Sequence, residues 1–252
     1  MNPSTPKRVI YAFPHAGASA SVYRTWLSRF KEDTSLVFKP IEIPGRDMLN
    51  HEKVIDNLPL LVDRICTDIH VDFINRQQAG VTEWVTFGHS FGGVLSFIVS
   101  AALSENYAMH PLFSVISGSI APSIQADDDR HLWTDEQIIS KMRADNGTPE
   151  SILNEPAFAR RLVTSLRTDY ILRHQFLAFA DKKVSQPLDI ISADKDEHVT
   201  EEMQAAWRHH TFATTQLHLI EGGHFAIYNY FDLVKALFLQ TPETPALVAE
   251  SL

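Results

Sequence analysis

Short runs rich in β-branched and apolar residues alternate with stretches whose apolar positions repeat every three or four residues, the pattern of a parallel sheet covered by helices on both faces. It predicts strands over Arg8–Phe13, Leu36–Ile43, Glu83–Phe87, Phe113–Ser117, Leu188–Ser192 and Gln216–Ile220. Helices are predicted near Ser21–Phe30, Asn57–Phe73, Phe91–Ser104, Glu201–Arg208 and Ala226–Leu239. No internal repeat or low-complexity tract interrupts the series. The fold class is therefore α/β, with a mostly parallel central sheet flanked by helices.

The alternation lapses between about Pro122 and Val184, which reads as consecutive helices without a strand. An acidic patch, Asp127, Asp128 and Asp129, opens this stretch, and helix-start signals follow at Thr134-Asp135-Glu136 and Thr148-Pro149-Glu150. From Pro156 onward, Phe158, Leu162, Leu166, Tyr170, His174 and Leu177 recur at near-helical spacing and predict one long helix with a single apolar stripe. Such a stripe suits a helix packed on the core and equally a lid over an acyl pocket. A chain of 252 residues, 44% of them hydrophobic, can bury one substantial core. Residues 1–252 are read as one domain carrying a helical insertion at about 122–184, with a loose tail after Thr241 where Pro242 and Pro245 fall.

Charge narrows the partners. With 22 basic against 31 acidic residues the net charge is −9, and no basic run interleaved with aromatics occurs, so a nucleic-acid partner is excluded. No run approaches the roughly 18 to 20 apolar residues a membrane helix needs. The opening MNPSTPKRVIYAF lacks the apolar region of a signal peptide, so a cytoplasmic protein without membrane contact is expected. The single cysteine, Cys66, falls in a predicted amphipathic helix and reads as a buried structural thiol. The twelve histidines show none of the paired spacings of a metal site, and His209 and His210 are expected to face solvent near a helix end. No metal and no cofactor of the chain's own are expected.

The chemistry concentrates in Gly88-His89-Ser90-Phe91-Gly92-Gly93, between an apolar strand run and a helical run. A nucleophile elbow needs that strand-to-helix turn, with glycines where neighbouring backbone would meet a Cβ. A serine hydroxyl needs a base to take its proton and a carboxylate to orient the base, in the chain order Ser, acid, His for this architecture. His224, in Glu221-Gly222-Gly223-His224-Phe225 after the last predicted strand, is the candidate base. Asp194 and Asp196, both after the fifth predicted strand, are candidate acids. Asp196 is chosen because two further residues let the loop turn back, leaving Asp194 to cap the turn. An oxyanion hole needs two backbone N–H groups, one from Phe91 and one from Phe13-Pro14-His15-Ala16-Gly17-Ala18, where Ala16 is the candidate donor. His15 reads as loop-shaping or substrate-contacting, and His89 as packed behind the elbow.

Taken together, these residues resemble the type II thioesterases of nonribosomal peptide and polyketide synthases, within the α/β-hydrolase superfamily. The matching stretches are Phe13-Pro14-His15-Ala16-Gly17, Pro44-Gly45-Arg46, Gly88 to Gly93, Leu166-Arg167-Thr168-Asp169-Tyr170, Asp196 to Val199 followed by Trp207, and Gly222-Gly223-His224-Phe225. The resemblance implies a Ser90, Asp196, His224 triad, an oxyanion hole from Ala16 and Phe91, and a mobile helical lid. It implies acyl groups on the phosphopantetheine arm of a carrier protein as substrate, cleared during antibiotic or siderophore biosynthesis. The phosphopantetheine would belong to the partner, and a monomer is expected. Two positions depart from the family pattern: Leu49 stands where another Arg is common, and Thr168 where a small apolar residue is common. They bear on carrier or acyl preference, since neither belongs to the triad. Rival readings are a medium-chain acyl carrier or acyl-CoA thioesterase of fatty-acid synthesis, a general carboxylesterase, lipase or peptidase, and a non-catalytic module retaining the fold.

Overall fold

The computed structural model describes residues 7–126, 128–145 and 148–241. Asp127 of the acidic patch and the predicted tail from Pro242 lie outside the described residues.

Six strands form one parallel sheet: β1 (Lys7–Phe13), β2 (Leu36–Pro40), β3 (Val81–His89), β4 (Ser114–Ser117), β5 (Leu188–Ala193) and β6 (Thr215–Ile220), in the order β2-β1-β3-β4-β5-β6. All six predicted strands are present. The second ends earlier than its apolar run, at Pro40, because proline has no N–H for the ladder. Side chains of β1 alternate between faces. Val9, Tyr11 and Phe13 pack with α2 (Leu58–Gln78) and α3 (Phe91–Tyr107), while Ile10 and Ala12 pack with α1 (Arg24–Phe30) and α8 (Phe231–Leu239). This is the α/β-hydrolase architecture.

Three predicted helices begin or end as tight 3-10 turns: Ala20–Tyr23 precedes α1, Ala206–His210 follows α7 (Glu201–Ala205), and Ala226–Asn229 precedes α8. The middle one corrects an expectation. His209 is exposed, but His210 is buried at 1% exposure, because the next residue, Thr211, pairs with Val184 and draws the chain inward. His210 Nε2 accepts from the Ser123 amide, so its Nδ1 carries the proton and donates to the Lys182 carbonyl at 2.8 Å. It thus joins both stems of the segment between β4 and β5.

That segment holds α4 (Asp135–Ala144), α5 (Glu150–Leu153) and α6 (Pro156–Gln175) and no strand among its described residues. Thr134 closes a capping box with Gln137 at the start of α4. On α6 the buried face runs through Ala159, Val163, Leu166 and Tyr170, whereas Phe158 is 57% exposed and His174 is exposed. The predicted stripe advanced by fours, which rotates about 40° per step on a helix of 3.6 residues per turn. Its centre therefore faces inward and its ends swing out. Cys66 is buried, its thiol pointing at the Val99 carbonyl, and burial pushes its pKa up to about 12, so it is a structural thiol as expected. No helix among the described residues is long and apolar enough to cross a membrane.

Candidate active site

Strand order reverses between β1 and β3, and the crevice above such a switch point is where open α/β sheets bind ligands. Phe13 ends β1 in register with Gly88 of β3, so the Pro14–Ala18 loop and the Gly88–Gly93 turn leave the sheet side by side. Ser90 occupies φ 55°, ψ −121°, a strained conformation for a residue with a side chain. Sterics explain the glycines around it. A Cβ on Gly88 would lie 2.1 Å from the Gly92 carbonyl oxygen, and one on Gly92 would lie 2.4 Å from that of Phe13. The turn is tight enough to exclude every other residue at both positions, and it presents a partly buried Ser90 at the N-terminus of α3. Phe91 is the first residue of that helix, so its N–H has no intrahelical acceptor. The Ala16 amide likewise has no protein acceptor among the described residues.

β5 and β6 deliver the other two residues. The Asp196 side chain is fully buried, with Oδ2 2.7 Å from His224 Nδ1 and Oδ1 accepting from the amides of His198 and Val199 at 2.9 and 3.1 Å. Burial alone would raise its pKa, but the His224 hydrogen bond, the His224 charge and the two amides together hold it below the usual carboxylate value. An ionised Asp196 accepts from His224 Nδ1–H, and in the neutral ring that tautomer leaves Nε2 with a lone pair. The Ser90 hydroxyl makes no hydrogen bond among the described residues; the ring next to it in sequence, His89, lies 4.9 Å from that of His224. Such contacts commonly tighten only with substrate bound.

Asp194 stands in a different role. It is exposed and accepts from the Gly222 amide at 2.7 Å, while the Lys195 amide donates to the Gly222 carbonyl, so this aspartate ties the acid loop to the histidine loop. His89 is buried, its Nδ1 3.1 Å from the Ser117 carbonyl, and burial followed by the nearby His224 keeps its pKa well below normal. His15 bonds Tyr228 at 2.6 Å through Nδ1. Its pKa is pushed down to about 3 by burial first, then by His224 and Arg46, which leaves it neutral and a poor second base.

The Thioesterase domain model matches residues 8–238. The chain belongs to the thioesterase family. Over 226 residues this thioesterase is 29% identical to the gramicidin S biosynthesis protein GrsT of Aneurinibacillus migulanus, covering 89% of this chain and 85% of that one. It is 25% identical over 227 residues to the medium-chain S-acyl fatty acid synthase thioesterase of Rattus norvegicus, covering 89% and 82%. Its backbone matches the RedJ thioesterase from the prodiginine pathway of Streptomyces coelicolor with a TM-score of 0.79, 24% identity and coverage of 93% and 90%, a likeness of fold.

The thioesterase also places together two residues that the sequence presents in separate motifs without a role. Arg46, 6% exposed, forms a two-pronged pair with Asp169 of α6, which is fully buried. The Gly17 amide donates to Asp169 as well, at 2.6 Å, so this carboxylate is engaged by Arg46 and the Gly17 backbone and bonds no histidine among the described residues. The ring of His198 stands 5.4 Å from that of His224, while its Nε2 lies 3.2 Å from Asp145 Oδ1 at the end of α4.

Proposed function

We propose that this thioesterase hydrolyses acyl groups from phosphopantetheine thiols of carrier proteins in a nonribosomal peptide or polyketide pathway, as a stand-alone type II enzyme. The observation that carries the chemistry is the hydrogen bond from part-buried His224 to buried Asp196, at the same carboxyl end of the strands as the strained Ser90 turn. The pathway rests on relatives such as GrsT, whose name places it in gramicidin S biosynthesis.

In the proposed mechanism Ser90 Oγ attacks the thioester carbonyl as its proton passes to His224 Nε2, and ionised Asp196 stabilises the resulting imidazolium. The amides of Ala16 and Phe91 hold the developing oxyanion. Collapse breaks the C–S bond, and the pantetheine sulfur leaves with the proton from His224. A water molecule, deprotonated by the same nitrogen, then attacks the acyl-serine; the acid is released and Ser90 regains its hydrogen. The scheme draws on no cofactor of the chain's own. Residues 122–184 act in it as a lid within a single 1–252 domain, shielding the acyl-serine from bulk water.

The test compares acyl release from a phosphopantetheinylated carrier protein with release from matched acyl-CoA and p-nitrophenyl esters, for wild type and Ser90→Ala. Preferential carrier cleavage, abolished in the variant, is expected. Preference for medium-chain CoA thioesters would favour the activity named for the rat relative, and turnover of oxygen esters alone would leave a general esterase.

A further inference from the structure

We infer that Arg46 and Asp169 are positioning residues that fix the Ala16–Gly17 peptide, directly after the Ala16 N–H that serves as oxyanion donor, and so couple α6 to the oxyanion hole. The inference rests on the proposed role of the Ala16 amide. Asp169 Oδ2 accepts from the Gly17 N–H at 2.6 Å and from Arg46 Nη1 at 2.8 Å, and its Oδ1 accepts from Arg46 Nη2. The same guanidinium donates to the Ala18 carbonyl at 2.8 Å and to the Ser165 carbonyl at 3.1 Å. Residues 17 and 18 are thus held through a donor and an acceptor by one ion pair, whose acid and last acceptor both belong to α6.

Peptide planarity turns this into control of Ala16. In a trans peptide the Ala16 carbonyl points opposite the Gly17 N–H. Flipping that plane would direct the carbonyl at the Asp169 carboxylate, two acceptors facing each other in a dry site. The Ala16–Gly17 plane is therefore held one way, and the His15–Ala16 plane that bears the donor N–H is constrained through the shared Ala16 Cα. Packing reinforces the tie, because Leu166 of α6 lies beside Gly17 and Ala16 packs against the Leu166 and Tyr170 cluster.

Burying both charges costs desolvation, and an apolar pair of similar volume often serves stability as well. What an apolar pair cannot do is accept from one backbone N–H and donate to a neighbouring carbonyl. The Arg8–Glu83 pair supplies an internal control: Arg8 is also buried, but it bonds the Phe238 and Gln240 carbonyls near the far end of the chain.

The experiment compares Asp169→Asn, Arg46→Lys and Glu83→Gln with wild type for kcat, KM, melting temperature and inhibition by an acyl-pantetheine trifluoromethyl ketone, whose adduct carries an oxyanion. Losing one oxyanion donor typically costs about 100- to 1,000-fold in kcat. A displaced donor should lower kcat at least ~30-fold in Asp169→Asn, with KM within about threefold and ketone affinity falling in parallel. Arg46→Lys, which keeps the charge and loses the fork, should fall between it and wild type. Glu83→Gln should lower the melting temperature and leave kcat within about twofold. The inference is overturned if the Asp169 and Arg46 variants lose melting temperature alone, or raise KM with ketone affinity intact. Should Asp169→Asn fail to fold, Arg46→Lys decides on the same readouts. The assays run on the p-nitrophenyl ester as well as the carrier thioester, and with Ser90→Ala, so failure of the carrier reading is seen separately.

Discussion

Ser90, Asp196 and His224 stand on loops leaving strands of one sheet, and their places follow from ladder register, two glycines with no room for a Cβ, and buried hydrogen bonds. The helices between β4 and β5 are secured differently. Their own apolar cluster comprises Ile138, Met142, Leu153, Val163, Leu166 and Tyr170, supplemented by ion pairs such as Arg143–Glu150 and Arg167–Asp135 at the surface. Exposed pairs contribute about 0–1 kcal/mol each. With so small a core of its own, the part of the segment around α4 and α5 should open at lower free energy than the sheet, whereas Leu172 and Phe176 anchor the end of α6 in the main core; that is the physical content of proposing a lid. One region fixes atoms; the other is the proposed lid, and the Arg46–Asp169 pair is where they meet.

The sharpest way to break this comparison is at the acid loop. Asp196→Asn should lower kcat by about 10,000-fold, because an amide in that place favours the wrong imidazole tautomer. Asp194→Asn, which disturbs only the exposed bond to the Gly222 amide, should cost less than about tenfold. Steady-state kinetics on folded proteins with matched circular dichroism decides it; a larger loss at Asp194 would reassign the acid.

Leu166 tests the other side. It is 8% exposed within the small cluster, and a Cβ on Gly17 would lie 3.6 Å from it. Leu166→Ala should cost about 2–5 kcal/mol in urea unfolding through lost burial and a residual cavity. The loss should be concentrated in the helical segment, so hydrogen exchange should accelerate in α4 and α6 and not in β1 or β3. Uniform acceleration would show that the two regions unfold as one unit.

Legibility in the sequence divides along the same line. Strands, the Ser90 turn and the His224 loop carry local signals, a period of two or glycines at fixed offsets, and a window of ten residues contains them. The Arg46–Asp169 pair joins positions 123 residues apart, and each residue taken alone looks like a surface charge in a motif. Tyr228, which fixes His15, offers no signal at all. The misplaced ends of the α6 stripe came from a period of 4.0 standing in for 3.6. A histidine pair at a helix end usually faces solvent, and for His210 the bridge from Thr211 to Val184 reverses that.

Acid should weaken the joint between the two regions. His15, His89 and His210 all have folded-state pKa values below that of free imidazole, burial being the first cause in each case. The unfolded chain takes up protons on them below about pH 6.5 and the folded chain does not, so stability is complete above that pH and falls as pH drops toward the folded values. Each contributes up to about 1.4 kcal/mol per pH unit over that window. His210→Gln keeps an acceptor for the Ser123 amide and a donor for the Lys182 carbonyl. It should flatten the dependence of unfolding free energy between pH 6.5 and 5 by up to that amount, and an unchanged slope would show that His210 does not titrate there. Asp196 runs the other way in cause and the same way in sign: its depressed pKa stabilises the fold above about pH 4 and that contribution is lost below it.

The smallest effect is the most discriminating about α6 itself. Phe158 and Leu166 lie eight residues apart on one helix, and a spacing by fours makes them look equivalent. Phe158 is 57% exposed, and it does not belong to the cluster that holds Leu166. Phe158→Ser removes a large apolar group from water-exposed surface, where substitutions stay within about 0.5 kcal/mol. Urea unfolding should therefore leave it close to wild type while Leu166→Ala falls by several times as much. If Phe158→Ser instead destabilised the protein like Leu166→Ala, the helix would be rotated from the orientation described, and Leu166 could not lie beside Gly17.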